Sequence, residues 1–359
     1  AAPGVAMGNC ADGLPKQALA LLPFGPRSGF KVCVCGGSNQ LGQPLCMLLA
    51  LDPLVRELAV QDLAIAVTPP EGIGVDLQHI ERSCKVKAYA LEPVQRPVDH
   101  LKECLQGCSL VIACSGWPNT GRTARDLLKL NGSVAKNIVE ACARYCPEAI
   151  VGLIMNPMNS LVPAMGALYE KAGLDPRRIV GITSLDAARA NKFVHVETEQ
   201  PIESISVPVV GGHAGPTTLP LLSQDPVAAA MQPARRAELI KRVQECGDEV
   251  TEAKKGRCGA TLSQAYACSR FARAVLLGFS GRRTQECCFV KSSACEEVPY
   301  FASKVTFGPK GAEVVHPVGK ISEEEEALLQ KIKLRLQQEV EDGLQFAEGL
   351  ELSKGAGDA

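Results

Sequence analysis

Residues Phe30 to Leu51 read FKVCVCGGSNQLGQPLCMLLAL, which is an apolar run, a glycine-rich turn and a second apolar run. The first run is short and rich in valine and cysteine, as buried strands are, whereas the leucines after the turn recur at helical spacing. A strand, a glycine turn and a helix in direct succession place backbone N–H groups where they can bind phosphate. The stretch therefore predicts a phosphate-binding βα unit.

The alternation of strand and helix continues beyond this unit. Helical stretches separate further apolar strands, which are predicted around residues 58–62, 86–89, 109–114, 149–155 and 179–183. Such alternation is typical of a parallel sheet with helices on both faces. The predicted fold class is therefore α/β, a Rossmann-type doubly wound parallel sheet with a second α+β catalytic domain. The predicted segments are a leader or flexible arm (1–28), the Rossmann domain (29–158), the catalytic domain (159–350) and a tail (351–359).

The second predicted strand, residues 58–62, ends on a carboxylate. Asp62 follows Gly42 by about twenty residues, the spacing at which an acid accepts hydrogen bonds from an adenosine ribose. A carboxylate at this position favours NAD over NADP, because it repels a 2′-phosphate. Together with the glycine turn, Asp62 predicts an NAD site.

Composition excludes several function classes. The chain has 359 residues, 46% of them hydrophobic, and a formal net charge of -1, whereas proteins that bind nucleic acid or anionic membranes usually carry a basic excess. Every apolar run is too short to span a bilayer. The 16 cysteines show no disulfide framework and no C-x-x-C pair, so we expect reduced, mostly buried thiols and no metal site.

The segment Ser204–Gly215, SISVPVVGGHAG, is a predicted apolar strand that ends in two glycines and His213. Histidine suits proton transfer near neutral pH, and the glycines allow a close backbone approach. Farther upstream, Asp186 and Arg189 are three residues apart and hence on one face of a predicted helix. A buried histidine satisfied by hydrogen bonds and a purely structural ion pair are the alternative interpretations.

A polar loop, Ser115 to Arg125, follows the strand at 109–114 and holds the only tryptophan. Its arginines, Arg122 and Arg125, are candidates to bind an anionic substrate, since loops above strand ends often carry binding residues. The alternative is that they mark a solvated helix start.

At this point the sequence resembles the malate dehydrogenases of the lactate/malate dehydrogenase superfamily, and in particular their NAD-dependent organellar branch. The resemblance runs from about Phe30 to Leu350. It is carried by LGQPLCMLL (41–49), GVDLQHI (74–80), NPMNS (156–160), GITSLDAARANKFV (181–194), VPVVGGHAG (207–215) and ATLSQAYA (260–267).

The resemblance implies roles for residues that the patterns above single out. His213 would be the catalytic base, Asp186 the carboxylate that orients it, and Arg189 the group that binds the substrate carboxylate. Asn156 and Arg125 would contact the substrate as well. The implied cofactor is NAD, and the implied cofactor-binding residues are Gly36, Gly42, Asp62 and Asn131.

The resemblance also implies a substrate and an assembly. The substrate would be a 2-hydroxy or 2-keto acid, most simply malate and oxaloacetate. The chain would form a homodimer through helices near 42–51 and 227–250, with no nucleic acid partner and no membrane insertion. The implied compartment is an organelle, the mitochondrion first, with plastid and glyoxysome as alternatives.

Two departures from the family pattern fall at functional positions. Asn39 stands where the glycine turn has its middle glycine, and Asn119 stands where the family has the arginine that recognises malate's distal carboxylate. In one register of the loop Arg125 meets the second family arginine. In the other register Ala124 takes that place, with Arg125 beside it. Arg122, Arg125 and Arg257 are candidates to replace the missing charge. Because a neutral Asn119 forms no ion pair, a monocarboxylic 2-keto acid is an alternative substrate.

These departures leave a second hypothesis open. In it, the chain is a catalytically degenerate homologue that serves as a structural subunit of an organellar complex. The intact set of His213, Asp186, Arg189 and Asn156 favours the enzyme, because a scaffold has no need for an aspartate that orients a histidine. Binding of NADH discriminates the two.

Overall fold

The computed structural model describes residues 29–92, 97–117, 121–213 and 215–353. The predicted leader (1–28), residues 354–359 of the predicted tail, and Asn119 lie outside these ranges, so the predictions made for them stay predictions.

The described residues form an 11-stranded sheet in the order β3-β2-β1-β4-β5-β6-β9-β10-β7-β8, with β11 beside β10. Strands β1 to β6 are parallel neighbours, whereas the remaining strands pair antiparallel. The order 3-2-1-4-5-6 is that of a Rossmann sheet. The strands are β1 (Phe30–Cys35), β2 (Val55–Leu63), β3 (Lys85–Leu91), β4 (Cys108–Ala113), β5 (Ile150–Leu153), β6 (Ile179–Gly181), β7 (Val209–Gly211), β8 (Thr218–Pro220), β9 (Thr284–Lys291), β10 (Tyr300–Gly308) and β11 (Gly311–Val315).

Helices cover both faces of this sheet, and two hydrophobic clusters lie between helices and strands. The helices are α1 (Gly42–Leu51), α2 (Pro70–Gln78), α3 (Pro97–His100), α4 (Lys102–Leu105), α5 (Ala124–Tyr145), α6 (Met158–Lys171), α7 (Ser184–Thr198), α8 (Pro226–Ala229), α9 (Pro233–Ala253), α10 (Leu262–Phe279) and α11 (Glu323–Glu348). The predicted α/β class is confirmed. The predicted domain boundary at 158/159 stays a prediction, because the sheet runs on without a break from β5 through β6 into β9.

The turn after β1 needs both of its outer glycines. Gly36 has φ +95, a conformation that favours glycine, and a Cβ there would lie 2.7 Å from the Ser115 nitrogen. A Cβ on Gly42 would lie 2.1 Å from the Gly36 carbonyl oxygen. Helix α1 can therefore start directly against β1 only because neither position has a side chain.

Two elements differ from the sequence expectation. The sequence from Pro233 to Leu277 predicts one long helical region. The structure has two helices there, α9 and α10, because Lys255 and Gly256 adopt left-handed conformations (φ 54 and φ 71) that end α9. The strand expected from Ser204 begins only at Val209. Ahead of it, the N–H of Ser206 donates to Asp225 and that of Val207 donates to Asn191, instead of to a neighbouring strand.

Ser322 with Glu325 three residues later, followed by apolar residues at every fourth position from Leu328 to Val340, predicts a capped helix, which is α11. Ser322 and Glu325 form a capping box at the start of α11. Ile332, Leu336 and Val340 are buried against the core of the catalytic half. These residues recur at every fourth position and form the apolar stripe by which α11 packs against α6.

The fifteen cysteines in the described ranges are free thiols, and most are buried. Burial raises the pKa of the Cys142 thiol well above its ordinary value, since the thiolate loses its solvation. In this part of the chain no group of three or more His, Cys, Asp or Glu side chains is arranged to hold a metal ion. The described helices also include none that is both long and apolar enough to cross a membrane.

Candidate active site

The site is built around a contact between two elements that are distant in sequence. Asp186 lies in the first turn of α7, just after β6, and His213 follows the end of β7. The His213 Nδ1 and the Asp186 Oδ2 are 2.6 Å apart, a short, charge-assisted hydrogen bond. The Asp186 carboxylate therefore fixes the orientation of the imidazole and leaves Nε2 as the nitrogen that can exchange a proton with a ligand.

Two opposing effects set the pKa of His213. Burial lowers it, because the imidazolium loses its solvation, whereas the charge and hydrogen bond of Asp186 raise it. The Arg189 cation lowers it further, but Asp186 outweighs both, so the pKa of His213 lies above its ordinary value of 6.5. The carboxylate thus stabilises the protonated imidazole inside a largely desolvated site.

Arg189 lies one turn after Asp186 on α7 and is largely buried. Its Nη1 is 3.9 Å from the Asp186 Oδ1, too far for a hydrogen bond. The two Asp186 oxygens therefore face different groups, Oδ2 the imidazole and Oδ1 the guanidinium. The loose contact leaves the planar donor fork of Arg189 available for a carboxylate.

The backbone around His213 is held as firmly as its ring. A Cβ on Gly211 would lie 2.3 Å from the Thr217 carbonyl oxygen, and one on Gly212 would lie 2.5 Å from the Thr217 Oγ1. Both glycines are needed for the chain to turn back on itself here, as the sequence indicated. The turn directs the histidine toward α7.

Sequence reasoning missed one residue of this site, Asn159. Its Oδ1 accepts the His213 backbone N–H at 2.8 Å. Its Nδ2 donates to the Thr217 Oγ1 at 3.1 Å and to the Glu339 Oε2 at 2.7 Å. Asn159 is the last asparagine of the NPMNS segment, which was the only local signal that could have drawn attention to it.

Asn156 and Asn131 are joined by a hydrogen bond. The Asn131 Nδ2 donates to the Asn156 carbonyl oxygen at 2.6 Å and to the Trp117 carbonyl oxygen at 3.2 Å, and its Oδ1 accepts the Trp117 N–H at 2.7 Å. Asn131 is 1% exposed and uses its amide on backbone groups. It therefore fixes the base of the polar loop against Asn156, whose own side chain is exposed.

The predicted substrate residues of the loop are not all in contact with this cluster. Arg125 is exposed in the first turn of α5, which Thr123 caps through a hydrogen bond with the Asp126 N–H at 3.1 Å. The Arg122 guanidinium lies 5.6 Å from the centre of the Trp117 ring. The structure thus brings His213, Asp186 and Arg189 together, whereas Arg125 is exposed to solvent.

A cleft of about 500 Å³ runs along the carboxyl ends of β1, β2 and β4. Its polar lining includes Asp62 and Asn39, and its extension reaches Gly116 and Trp117 at the base of the polar loop. His213 is not among the residues that line this cleft. Its apolar lining is formed by Leu63, Leu91, Leu101, Val134 and Ile138.

The residues of the cleft fit a dinucleotide. Asp62 stands at the end of β2 with one oxygen on the Ser38 N–H at 2.9 Å and the other on the Leu63 N–H at 2.8 Å. Both carboxylate oxygens keep lone pairs for the two hydroxyls of a ribose. The Cβ-free cradle of Gly36 and Gly42 lies beside it, and the apolar wall offers a surface for an adenine ring.

Family models match nearly the whole described chain. The model for the lactate/malate dehydrogenase NAD binding domain matches residues 30–181, and the model for the lactate/malate dehydrogenase alpha/beta C-terminal domain matches residues 183–347.

Individual relatives agree. The chain is 41% identical over 320 residues to a mitochondrial malate dehydrogenase of Eucalyptus gunnii, covering 88% of this chain and 89% of that one. It is 41% identical over 325 residues to a glyoxysomal malate dehydrogenase of Citrullus lanatus, covering 90% and 88%. The crystal structure of a Cryptosporidium parvum malate dehydrogenase has the same fold, with a TM-score of 0.74 at 24% identity over 88% of this chain and 99% of that one.

Proposed function

Because the chain belongs to the lactate/malate dehydrogenase family, we propose that His213 is the acid–base group that interconverts a 2-hydroxy acid and a 2-keto acid. The chain is a malate dehydrogenase-like, NAD-dependent oxidoreductase. The observation that carries the assignment to His213 is the 2.6 Å contact between its Nδ1 and the Asp186 carboxylate.

In the oxidation direction, the His213 Nε2 accepts the proton of the substrate hydroxyl. NAD, when bound, supplies the acceptor for the hydride that leaves the carbon bearing this hydroxyl. The Asp186 carboxylate stabilises the imidazolium that forms, as the raised pKa of His213 indicates. In the reduction direction the imidazolium returns its proton to the carbonyl oxygen.

We assign substrate binding to three further residues. The Arg189 guanidinium would bind the carboxylate next to the reacting carbon through two parallel N–H donors. The Asn156 amide would donate to the reacting oxygen, at a place fixed by its backbone contact with Asn131. Arg125, which is exposed in the first turn of α5, would contribute its guanidinium to substrate binding.

Malate and oxaloacetate are the substrates we propose, on the strength of the relatives described above. Asn119 is uncharged and lies outside the described residues, so the partner of a second substrate carboxylate is Arg125 or Arg122 in this proposal. A monocarboxylic 2-keto acid remains the alternative.

We also propose an organellar location and a homodimer. The location, the mitochondrion first, is supported by the mitochondrial and glyoxysomal relatives. The homodimer is supported by exposed apolar side chains on α1, Met47 and Leu51. None of the relatives reported above is described as a non-catalytic subunit, so the degenerate-subunit alternative has no support from them.

The experiment that tests the proposal is oxidation of NADH by the purified protein with oxaloacetate, pyruvate and phenylpyruvate. We expect turnover with oxaloacetate, and a loss of about 10²–10⁴-fold in kcat for His213→Ala, because the acid–base group is removed. His79→Ala, at an exposed histidine after α2, is the matched control and should keep full activity. A folded His213→Ala variant with unchanged kcat would show that another residue transfers the proton.

A further inference from the structure

We propose that the side chain of Asn39 occupies the phosphate-binding end of helix α1, so that a dinucleotide must displace it in order to bind. The Asn39 Oδ1 accepts the backbone N–H groups of Leu41 at 2.9 Å and Gly42 at 2.8 Å. These are donors of the kind that bind pyrophosphate at the N-terminus of a helix after a glycine turn. The amide oxygen thus stands in for an anion.

The other donors of the first turn of α1 are also committed. The Gln43 N–H donates to the Asn39 carbonyl oxygen at 3.0 Å, and the Leu45 N–H donates to the Leu41 carbonyl oxygen at 3.2 Å. Residue 44 is a proline and has no N–H to offer. The donors that a helix N-terminus leaves unpaired are therefore satisfied here within the protein.

The earlier part of the turn offers little more. The Ser38 N–H donates to Asp62, and the Asn39 N–H donates to the Gly36 carbonyl oxygen at 3.3 Å. Among the described residues of the turn after Gly37, only the Gln40 N–H has no hydrogen bond. Only one N–H donor of this turn is therefore available to a pyrophosphate. Two more become available if the Asn39 Oδ1 releases the Leu41 and Gly42 N–H groups.

The amide is held from its other end as well. The Asn39 Nδ2 donates to the Cys114 carbonyl oxygen at 3.0 Å, which ties the side chain to the end of β4. Its side chain is half-buried and lines the cleft that contains Asp62. Displacement therefore breaks three hydrogen bonds of one side chain. A glycine at this position would have none to break.

The consequence is a lower affinity for any ligand whose pyrophosphate must reach α1. The anion gains the Leu41 and Gly42 donors only after the amide leaves, so part of its binding free energy is spent on that exchange. A ligand that uses the Asp62 end of the cleft alone is unaffected. The inference rests on the cleft being the NAD site.

The test compares binding of NADH and ADP-ribose with binding of adenosine, which lacks pyrophosphate. We expect Asn39→Gly and Asn39→Ala to bind NADH and ADP-ribose about tenfold more tightly than the wild type, measured by calorimetry and by NADH fluorescence. Adenosine affinity should stay unchanged in both variants. Asn39→Asp keeps the acceptor and adds a negative charge, so it should bind the two pyrophosphate ligands more weakly than the wild type.

Ligand-free stability provides a second readout. The melting temperature of Asn39→Ala without ligand should fall, because two N–H groups at the start of α1 lose their acceptor. The increase in Tm caused by NADH should be larger than in the wild type. Gln106→Ala, at an exposed side chain after α4, is the control and should match the wild type in every measurement.

The outcomes separate this inference from the proposed function. Equal or weaker NADH binding by Asn39→Ala and Asn39→Gly, with a wild type that binds, would overturn the role of the amide. Tighter NADH binding by Asn39→Gly but not by Asn39→Ala would mean that the Cβ at position 39, rather than the amide, weakens binding. That result would also overturn the role of the amide. Binding of NADH by none of the proteins would overturn the cofactor site itself, and the inference with it.

Discussion

At the scale of single residues, one carboxylate organises the proton-transfer site. The two Asp186 oxygens face different groups, the His213 imidazole at 2.6 Å and the Arg189 guanidinium at 3.9 Å. The short hydrogen bond restrains the imidazole, whereas the longer contact restrains the guanidinium much less. The imidazole is fixed, whereas the guanidinium keeps its donors for a ligand.

The raised pKa of His213 predicts opposite pH dependences for the two reaction directions. Oxidation of the hydroxy acid needs the neutral imidazole, so kcat/KM should fall as the pH drops below the pKa of His213. Reduction of the keto acid needs the imidazolium, so kcat/KM should fall as the pH rises above that pKa. In Asp186→Asn, both inflections should move to lower pH, because burial and Arg189 then act without the opposing carboxylate.

Steady-state pH profiles in both directions measure these inflections. Lys192→Ala, at an exposed side chain on the same helix, is the control and should leave the profile in place. An Asp186→Asn profile that coincides with the wild type would mean that a group other than His213 titrates.

At the scale of elements, β7, α6 and α11 are connected by hydrogen bonds that start at the His213 backbone. Asn159 on α6 accepts the His213 N–H just after β7, and Glu339 on α11 accepts from the Asn159 Nδ2. Because the Glu339 carboxylate is only an acceptor, it fixes which end of the Asn159 amide faces the histidine. Helix α11 therefore acts on the His213 backbone through Asn159.

This arrangement predicts that Asn159 is a positioning residue. In Asn159→Ala, His213 loses the acceptor of its N–H, and we expect kcat to fall about tenfold, the equivalent of about 1.4 kcal/mol. The pH inflection of His213 should stay where it is, since the Asp186 contact remains. Lys331→Ala, at an exposed side chain on α11, is the control and should keep kcat close to wild type. An Asn159→Ala variant that is less stable but fully active would reduce Asn159 to a structural role.

At the scale of the whole molecule, one sheet carries both halves of the site. The cleft lies at the carboxyl ends of the parallel strands, and His213 arrives on β7 in the antiparallel part. On the outside, α1 and α10 pack against each other and expose Met47, Leu51, Leu262 and Tyr266. Large apolar side chains exposed on neighbouring helices are typical of a surface that meets another protein.

The homodimer is proposed through helices near 42–51 and 227–250, so a charge placed on α1 at Met47 should separate the subunits. In Met47→Glu, a two-fold axis would bury two unpaired carboxylates, so the dimer dissociation constant should rise at least 100-fold. Sedimentation velocity at micromolar concentration measures this directly. Leu334→Glu, at a side chain 75% exposed on α11, is the control and should stay dimeric. A wild-type protein that sediments as a monomer would exclude the homodimer.

The sequence by itself determined the features that depend on residues close together in the chain. Hydrophobic periodicity and the glycine turn predicted the α/β class, and the spacing of Asp62 from the turn predicted NAD. The capping box at Ser322 and the pairing of Asp186 and Arg189 on one helix were also readable, because each depends on residues a few positions apart. The type and spacing of residues are sufficient where the geometry is that of one strand, one turn or one helix.

Only the tertiary structure decided how these pieces act on one another. The contacts from His213 to Asn159 and from Asn159 to Glu339 join residues 54 and 180 positions apart, so no local pattern announces them. The sequence showed that Asn39 replaces a glycine, but only the fold shows its amide oxygen on the Leu41 and Gly42 N–H groups. The physical reason is that a hydrogen bond depends on direction as well as on distance, and packing sets the direction in which a side chain points.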